Sequence, residues 1–173
     1  LLFLFICVES LTLNAQWVRT SGPEGGHVYN FTTNGSNMFI GTSDGVYKST
    51  DNGQNWSRSY SGTNLHLWIT AFTISGSDLY AGTAGGGIFK SSDNGANWVS
   101  ANTGLTNLAI YSLTVKGTNI FAGTYGGGVF VSSDAGANWI EVNNGLNITF
   151  NTMIIRDLLV VGTKLYAGSN NGV

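Results

Sequence analysis

Charge is scarce in this 173-residue sequence: 7 Lys+Arg and 9 Asp+Glu make only 9% of it charged, and the formal net charge is −2. An ordinary soluble domain is about 25% charged. A nucleic-acid binder needs a basic patch that displaces counterions from phosphates, and seven basic residues do not supply one. We therefore expect no nucleic acid among the partners of this chain.

Cysteine is almost absent, because Cys7 is the only one. It lies in the apolar run at residues 1–8, which is too short to span a membrane, since a transmembrane helix takes about 20 residues. The run has the length of the hydrophobic region of a secretory signal, and Ala15 is a small residue suited to a cleavage point. We expect residues 1–15 to be a signal-peptide remnant and residues 16–173 to be secreted or extracellular, with the periplasm and the cell surface as variants. Lipid attachment at Cys7 and a frayed N-terminal strand are the alternatives.

Proline is also rare, with one residue, whereas glycine occurs 25 times. The sequence is 42% hydrophobic and 12% aromatic, which is too apolar for a disordered tail. No segment carries apolar residues at the i, i+3, i+4, i+7 spacing over the length that a helix needs. Abundant Gly, Asn, Ser and Thr between short apolar segments predict short strands joined by tight turns, and hence an all-β fold.

One motif with Ser, Asp, Gly and Trp at fixed spacing occurs three times, and it recurs about every 41 residues, a period typical of repeat proteins. The copies are STDNGQNW at 49–56, SSDNGANW at 91–98 and SSDAGANW at 132–139. A second motif, which ends in Gly-Thr or Gly-Ser, precedes each copy, and its fourth instance at 165–169 begins a further unit. The chain therefore consists of internal repeats.

Four short strands are recognisable in each unit; in the second unit we expect them at 69–75, 78–83, 87–91 and 98–100. Four strands in about 40 residues are typical of one blade of a β-propeller. We predict an incomplete β-propeller with about three full four-stranded antiparallel blades and partial blades at both ends. Its expected neighbours are further blades of the same parent chain. A solenoid with two strands per coil is the alternative.

The repeated motif predicts a structural turn. Its Asp is expected to accept hydrogen bonds from backbone N–H groups one or two residues further on, its Ser to add a second local bond, and its Gly to take a positive φ. Its Trp is expected to bury a large ring. A calcium loop is disfavoured, because each copy has a single carboxylate. The structural residues are Ser49, Asp51, Gly53, Trp56, Ser91, Asp93, Gly95, Trp98, Ser132, Asp134, Gly136 and Trp139.

These copies resemble the Asp-box (BNR) repeats of sialidases, xyloglucanase-type glycoside hydrolases, sortilin-like receptors and photosystem II assembly factors. The resemblance covers residues 17–173. It implies a β-propeller in which each box lies at the turn between the third and the outermost strand, away from the active face. It implies no single activity, because the same box occurs in enzymes and in non-enzymes.

Two enzyme signatures do not match the residues. A sialidase-like site, by resemblance, needs three converging arginines, and the chain has only Arg19, Arg58 and Arg156. Arg19 and Arg58 occupy the same repeat position in different units, so they are spread around the rim and cannot converge. The glycine runs at 85–87 and 126–128 lack the lysine and the following helix of a phosphate-binding P-loop. We interpret both runs as tight turns.

A glycosidase pairs two carboxylates across the scissile bond, about 5 to 9.5 Å apart. Glu24, Asp44 and Asp157 are the acidic residues expected to face the mouth of the propeller, and the alternative is that they are solvated turn residues and one ion pair. His27 and His66 are the only imidazoles, and two histidines without a third ligand make a poor zinc site. We assign no catalytic residue and expect no metal and no cofactor.

The blade ends opposite the boxes are the expected functional surface. Their loops are polar, nearly uncharged and contain aromatic residues, which suits neutral ligands such as glycans or peptide segments. Trp68 aligns with His27 and Ala109 in the neighbouring units, so the fold does not require it; burial between blades is the alternative role. The candidate ligand contacts are Trp68, His66, Tyr125, Asp44 and Asp157.

Three functions are compatible with these features. The first is a secreted, non-catalytic propeller module that binds glycan or protein ligands or acts as a scaffold. The second is part of a xyloglucanase-like glycoside hydrolase whose catalytic carboxylates lie partly in other blades. The third is an assembly chaperone similar to the photosystem II factors, although the basic partner-binding patch expected for it is absent.

Overall fold

A computed structural model describes residues 5–8, 16–23, 27–59, 67–146, 153–170 and 172. The candidate residues Glu24 and His66 lie outside the described residues. The described part of the chain consists of strands, turns and connecting segments, without a helix. The strands are β1 Phe5–Val8, β2 Gln16–Arg19, β3 Val28–Asn34, β4 Asn37–Thr42, β5 Gly45–Ser49, β6 Ser57–Arg58, β7 Ile69–Ser75, β8 Asp78–Thr83, β9 Ile88–Ser91, β10 Val99–Ser100, β11 Ile110–Lys116, β12 Asn119–Thr124, β13 Val129–Ser132, β14 Ile140–Glu141, β15 Ile155–Val161 and β16 Lys164–Ser169.

The strands form three successive four-stranded antiparallel sheets, each of which joins neighbouring strands in chain order. Blade 1 comprises β3 to β6, blade 2 comprises β7 to β10, and blade 3 comprises β11 to β14. Strands β15 and β16 form the two-stranded sheet of blade 4, and β1 pairs antiparallel with β2. The predicted all-β fold with three full blades and further partial sheets is therefore confirmed.

The first strands of the four blades contact one another in order, β3 with β7, β7 with β11, and β11 with β15. They are thus the innermost strands of the array. Each has an irregular register at its start, as between Ile110 and Ser112 in blade 3. In blades 1 and 3 the residue that follows this irregularity reaches the next blade: Ser112 Oγ donates to the carbonyl of Ile155 at 2.9 Å, and Asn30 Nδ2 donates to that of Ile69, also at 2.9 Å.

The hydrophobic core lies between the blades. One cluster joins Phe39 of blade 1 to Leu79 and Trp98 of blade 2, and a second joins Tyr80 of blade 2 to Trp139 of blade 3. Each cluster therefore removes apolar surface of two blades from water at once, which is the main stabilising term for stacked repeats.

The Gly-Thr motif makes this close packing possible. A methyl group added at Gly82 would lie 2.7 Å from Cγ2 of Ile110 on the next blade, and one added at Gly123 would lie 2.4 Å from Cγ2 of Ile155. Only glycine leaves space for these isoleucines. The glycine of the motif is therefore required by the contact between blades and not by a turn.

Within the described residues, no helix has the length and apolarity needed to cross a membrane. The boundary at residue 15 between a signal remnant and the propeller stays a prediction.

Candidate ligand-binding face

Each Asp-box is a hydrogen-bonded turn between the third and the fourth strand of its blade. In the first box, Ser49 Oγ donates to Asp51 Oδ1 and accepts the N–H of Gly53, both at 2.8 Å. Asp51 Oδ1 also accepts the N–H of Asn55 at 2.9 Å, and its Oδ2 accepts Nδ2 of Asn55 at 2.8 Å. The second and third boxes repeat these bonds.

The box Asp thus receives its backbone bond from four residues further on, whereas the sequence predicted one or two. The reason is the backbone between them, where Asn52 and Gly53 both have positive φ, 58° and 81°. These left-handed residues fold the chain back, so that the Asn55 N–H faces the carboxylate.

The hydrogen bonds of the boxes stabilise the ionised carboxylates. The pKa of Asp134 is lowered to about 2, chiefly by the side chain and the backbone N–H of Asn138. The pKa values of Asp51 and Asp93 are also lowered, first by the backbone N–H of Asn55 and by the side chain of Asn97, respectively. The box carboxylates are therefore held by the fold in their charged form.

The box tryptophans differ in burial. Trp98 and Trp139 are each 2% exposed, and their indole N–H groups reach the preceding blade, at Ser59 Oγ (3.4 Å) and the Ala101 carbonyl (2.8 Å). Trp56 is half-buried, and its N–H donates to the carbonyl of Gly53 in its own box at 3.0 Å. The box end of the blades is thus occupied by contacts that hold the fold together.

The opposite blade ends are formed by the turns between the second and third strands. In blade 2, Thr83 Oγ1 donates to the carbonyl of Gly87 at 2.9 Å. Asn102 Nδ2 donates to the carbonyl of Gly86 at 2.9 Å, and its Oδ1 accepts the N–H of Ile88 at 2.7 Å. Blade 3 repeats this clasp with Thr124 and Asn143. The glycine runs are therefore turns between the second and third strands that side chains close by hydrogen bonds, in line with their interpretation from sequence.

Blade 1 keeps the threonine bond, from Thr42 Oγ1 to the carbonyl of Gly45 at 2.9 Å, and adds an ion pair. Arg58 forms an ion pair with Asp44, and its guanidinium lies 5.4 Å from the ring centre of Tyr47. The sequence placed Asp44 among the candidate ligand contacts, and the structure gives it this internal cationic partner. Asp157, another candidate, is exposed on β15, where its Oδ1 accepts the N–H of Leu158 at 2.9 Å.

Two candidate contacts, Trp68 and Tyr125, lie in one backbone row across blades 2 and 3. The N–H of Ala84 donates to the Trp68 carbonyl at 3.0 Å, Ala84 forms an antiparallel bridge with Ala109, and the N–H of Tyr125 donates to the Ala109 carbonyl at 2.9 Å. Adjacent hydrogen-bonded backbones are about 4.8 Å apart, so three steps separate Trp68 from Tyr125 by about 14 Å. Between these two large residues the row carries only alanine side chains.

Each end of this row carries a pair of rings. Tyr29 packs against Trp68 with ring centroids 4.9 Å apart and a tilt of 43°, and Tyr111 packs against Tyr125 at 6.2 Å and 44°. Tyr29, Trp68 and Tyr125 are 45%, 43% and 42% exposed. His27 lies 6.3 Å from Tyr29, centroid to centroid. We call the set Tyr29, Trp68, Ala84, Ala109, Tyr111 and Tyr125 the aromatic groove.

Among the six residues of the aromatic groove, the only ionisable groups are the tyrosine hydroxyls, and His27 is a described imidazole beside Tyr29. Across the described residues, no three His, Cys, Asp or Glu side chains come together as a metal site would require. The groove suits stacking and amide or hydroxyl hydrogen bonds with an uncharged ligand.

Sequence reasoning missed Tyr29 and Tyr111 as members of this groove. Both align with Thr70 in the second unit, where the side chain instead donates to the carbonyl of Ile110 at 2.5 Å. The available signal was an aromatic residue in two repeats at a position where the second unit has threonine.

Comparison with known proteins agrees with this architecture. The BNR/Asp-box repeat family matches residues 47–58. No curated protein sequence matches the chain. Among solved structures, an ancestral GH74 enzyme is 18% identical with a TM-score of 0.61, over 73% of this chain and 20% of that enzyme. YCF48 bound to D1 peptide is 15% identical with a TM-score of 0.63, over 90% of this chain and 52% of YCF48.

A third similar structure is the computationally designed Ika4 protein, at 13% identity and a TM-score of 0.67, over 89% of this chain and 91% of that protein. The chain thus spans a fifth of the GH74 enzyme and about half of YCF48. At such low identities these similarities concern the fold. The chain therefore has the fold of an incomplete β-propeller with three hydrogen-bonded boxes, of which the first matches the BNR/Asp-box repeat family.

Proposed function

We propose that this chain is a non-catalytic binding module of an exported protein, and that its aromatic groove binds a neutral glycan chain. The observation that carries the proposal is a ring pair at each end of an alanine floor, Tyr29 with Trp68 and Tyr111 with Tyr125. Tyr29, Trp68 and Tyr125 are exposed, and Tyr111 is half-buried. The apolar run at residues 1–8 supports export.

The fold does not require the rings of the groove to be exposed. The core rings Phe39, Tyr80 and Phe130 are fully buried, whereas Trp68 and Tyr125 leave more than two fifths of their surface in water. Exposed aromatic residues that cluster on one face commonly mark a binding surface. Sugar rings present apolar C–H faces to such rings and hydroxyl groups to nearby polar atoms.

The length of the groove favours an extended ligand. Because Trp68 and Tyr125 are about 14 Å apart along the backbone row, one small ring cannot contact both. The small side chains of Ala84 and Ala109 leave space for a ligand chain to lie between Trp68 and Tyr125. A linear oligosaccharide satisfies both conditions.

We assign no catalytic role to Asp44 or Asp157. Asp44 is ion-paired with Arg58, and Asp157 accepts a backbone N–H from Leu158. A neutral peptide segment is the competing occupant, since the similar YCF48 structure contains a bound peptide.

The test is calorimetric titration of the purified chain with neutral hexasaccharides (cello-, xylo- and mannohexaose) and with an uncharged peptide of similar length. We expect at least one hexasaccharide to bind, and Trp68→Ala and Tyr125→Ala each to weaken binding by about tenfold, the loss of one stacking contact. Tyr166→Ala is the matched control, because Tyr166 is equally exposed at 42% but lies on β16, outside the groove.

Full affinity in both groove variants would overturn the groove as the site. Absence of binding to every hexasaccharide would overturn the glycan as ligand. Peptide binding that both groove variants lose would place a peptide there instead.

A further inference from the structure

Four Asn-Gly sequences lie within the described residues, at Asn34, Asn52, Asn94 and Asn144. At such sites the backbone nitrogen of glycine attacks Cγ of asparagine, the new N–Cγ bond replaces the Cγ–Nδ2 bond, and ammonia leaves with the proton of the glycine nitrogen. Water then opens the resulting succinimide at either carbonyl to give aspartate or isoaspartate. Attack requires a glycine N–H that is free to turn toward the side chain and to lose its proton.

Two of the four sites are inside Asp-boxes, where this nitrogen is held. The N–H groups of Gly53 and Gly95 each donate to the box serine, Ser49 or Ser91, at 2.8 Å. Both glycines are buried, and a methyl group added at Gly95 would lie 2.5 Å from the ring of Phe39. The nitrogen is therefore neither free to rotate nor exposed to base.

Asn144 and Gly145 are in the opposite situation. Both are exposed, and a methyl group added at Gly145 would meet no atom within 4 Å. The turn is closed by the N–H of Leu146, which donates to the Asn143 carbonyl at 2.9 Å. Within the described part of the chain no residue accepts a hydrogen bond from the Gly145 N–H, so this nitrogen lacks the restraint found in the boxes.

Asn34 is intermediate. It is half-buried, and its Nδ2 donates to Oδ1 of Asn94 at 3.2 Å, which holds the amide, while Gly35 itself is exposed. The four sites thus differ in the restraint on the two reacting groups, although their local sequences are alike.

We propose that Asn144 is a site of spontaneous deamidation and isomerisation, and that the box serines protect Asn52 and Asn94 from the same reaction. The modification places a carboxylate on the same blade ends as the aromatic groove. As isoaspartate it also lengthens the backbone by one atom next to Asn143, whose amide clasps Gly127 (3.0 Å) and Val129 (2.7 Å).

The test is incubation of the folded chain at mildly alkaline pH, followed by peptide mass spectrometry that separates aspartate from isoaspartate. We expect Asn144 to react first, Asn34 more slowly and the box asparagines least, with this order lost in urea. Ser91→Ala should accelerate reaction at Asn94 by about tenfold, the equivalent of one hydrogen bond. Ser132→Ala is the matched control: it removes the same box hydroxyl, but the third box has Ala135 in place of asparagine, so the reaction rates should stay unchanged.

Gly145→Ala, which removes the permissive residue at φ 89°, should slow the reaction at Asn144 without changing the other sites. Circular dichroism confirms that each variant is folded at the incubation temperature, and Gly145→Ala carries the test if Ser91→Ala does not fold. Equal rates at Asn94 and Asn144 in the folded wild type would overturn the proposal, as would an unchanged Asn94 rate in folded Ser91→Ala.

Discussion

The hydroxyl of Tyr80 in blade 2 donates a 2.8 Å hydrogen bond to the backbone carbonyl of Ala135, in the Asp-box of blade 3. Lys90 Nζ of blade 2 donates to the same carbonyl at 3.3 Å. One blade earlier, Lys48 Nζ donates to the carbonyl of Asn94, in the box of blade 2, at 2.9 Å. The left-handed residue of each of these boxes thus presents its carbonyl to the preceding blade. The boxes join blades as well as strands.

The Tyr80 contact predicts a cost for removing one oxygen atom. Tyr80→Phe leaves the ring in its core cluster and deletes the bond to Ala135, so we expect the free energy of unfolding to fall by about 1 kcal/mol, measured by urea titration. Tyr166→Phe is the control at the same repeat position, and it should change stability little because Tyr166 is exposed. Equal effects of the two substitutions would contradict this role of the hydroxyl.

The box tryptophans predict unequal losses. Trp139 is 2% exposed and bonded to the preceding blade, so Trp139→Ala should reduce the free energy of unfolding by about 3–5 kcal/mol. Trp56→Ala should cost distinctly less, since Trp56 is half-buried and bonds within its own box. Thermal unfolding of both variants checks this order, and a larger loss for Trp56→Ala would show that box burial does not set the energy.

The sequence predicted the repeat, the four-stranded blades and several strand limits. In the second unit the first two strands run at 69–75 and 78–83, as expected, because alternating apolar residues and the Gly76 turn define them locally. The third begins at Ile88 instead of residue 87, since Gly87 has φ 79° and donates its N–H to the Leu108 carbonyl.

The contacts between blades could not be predicted from the sequence. Tyr29 and Trp68 are in different blades, and their pairing depends on how two sheets pack and not on local spacing. For the same reason the alignment with His27 and Ala109 singled out Trp68 but did not reveal the alanine floor that extends from it. Asp44 looked like a free carboxylate because Arg58 follows it on another strand.

The glycines of the second motif predict a steric penalty. In Gly123→Ala, the new methyl group would lie 2.3 Å from Ser112 Oγ and 2.4 Å from Cγ2 of Ile155, so the blades must separate. We expect a loss of about 1–3 kcal/mol in urea unfolding, as for other overpacked cores. Gly85→Ala is the control, because its methyl group would meet no atom within 4 Å. Unchanged stability in Gly123→Ala would mean that the blades are not in close contact there.

The lowered carboxylate pKa values predict acid sensitivity with a defined sign. Because the pKa of Asp134 is about 2 in the folded chain against an ordinary 3.8, its ionised form stabilises the fold above pH 3.8, and this contribution is lost as the pH falls toward 2. Asp134→Asn lacks it at every pH, so the stability difference between wild type and variant should shrink on acidification. Urea unfolding from pH 6 to pH 2 measures it; a difference that grows toward low pH would contradict the box geometry.

The most direct test of the aromatic groove is the dependence of affinity on ligand length, measured by calorimetry with a series of neutral oligosaccharides from the best-binding hexasaccharide downward. We predict weak binding of oligomers too short to reach both Trp68 and Tyr125, and a clear gain in affinity once the chain spans the roughly 14 Å between them. In the long oligomers, Trp68→Ala and Tyr125→Ala should each remove that gain. Affinity that is independent of length, or a gain that survives both substitutions, would contradict the account.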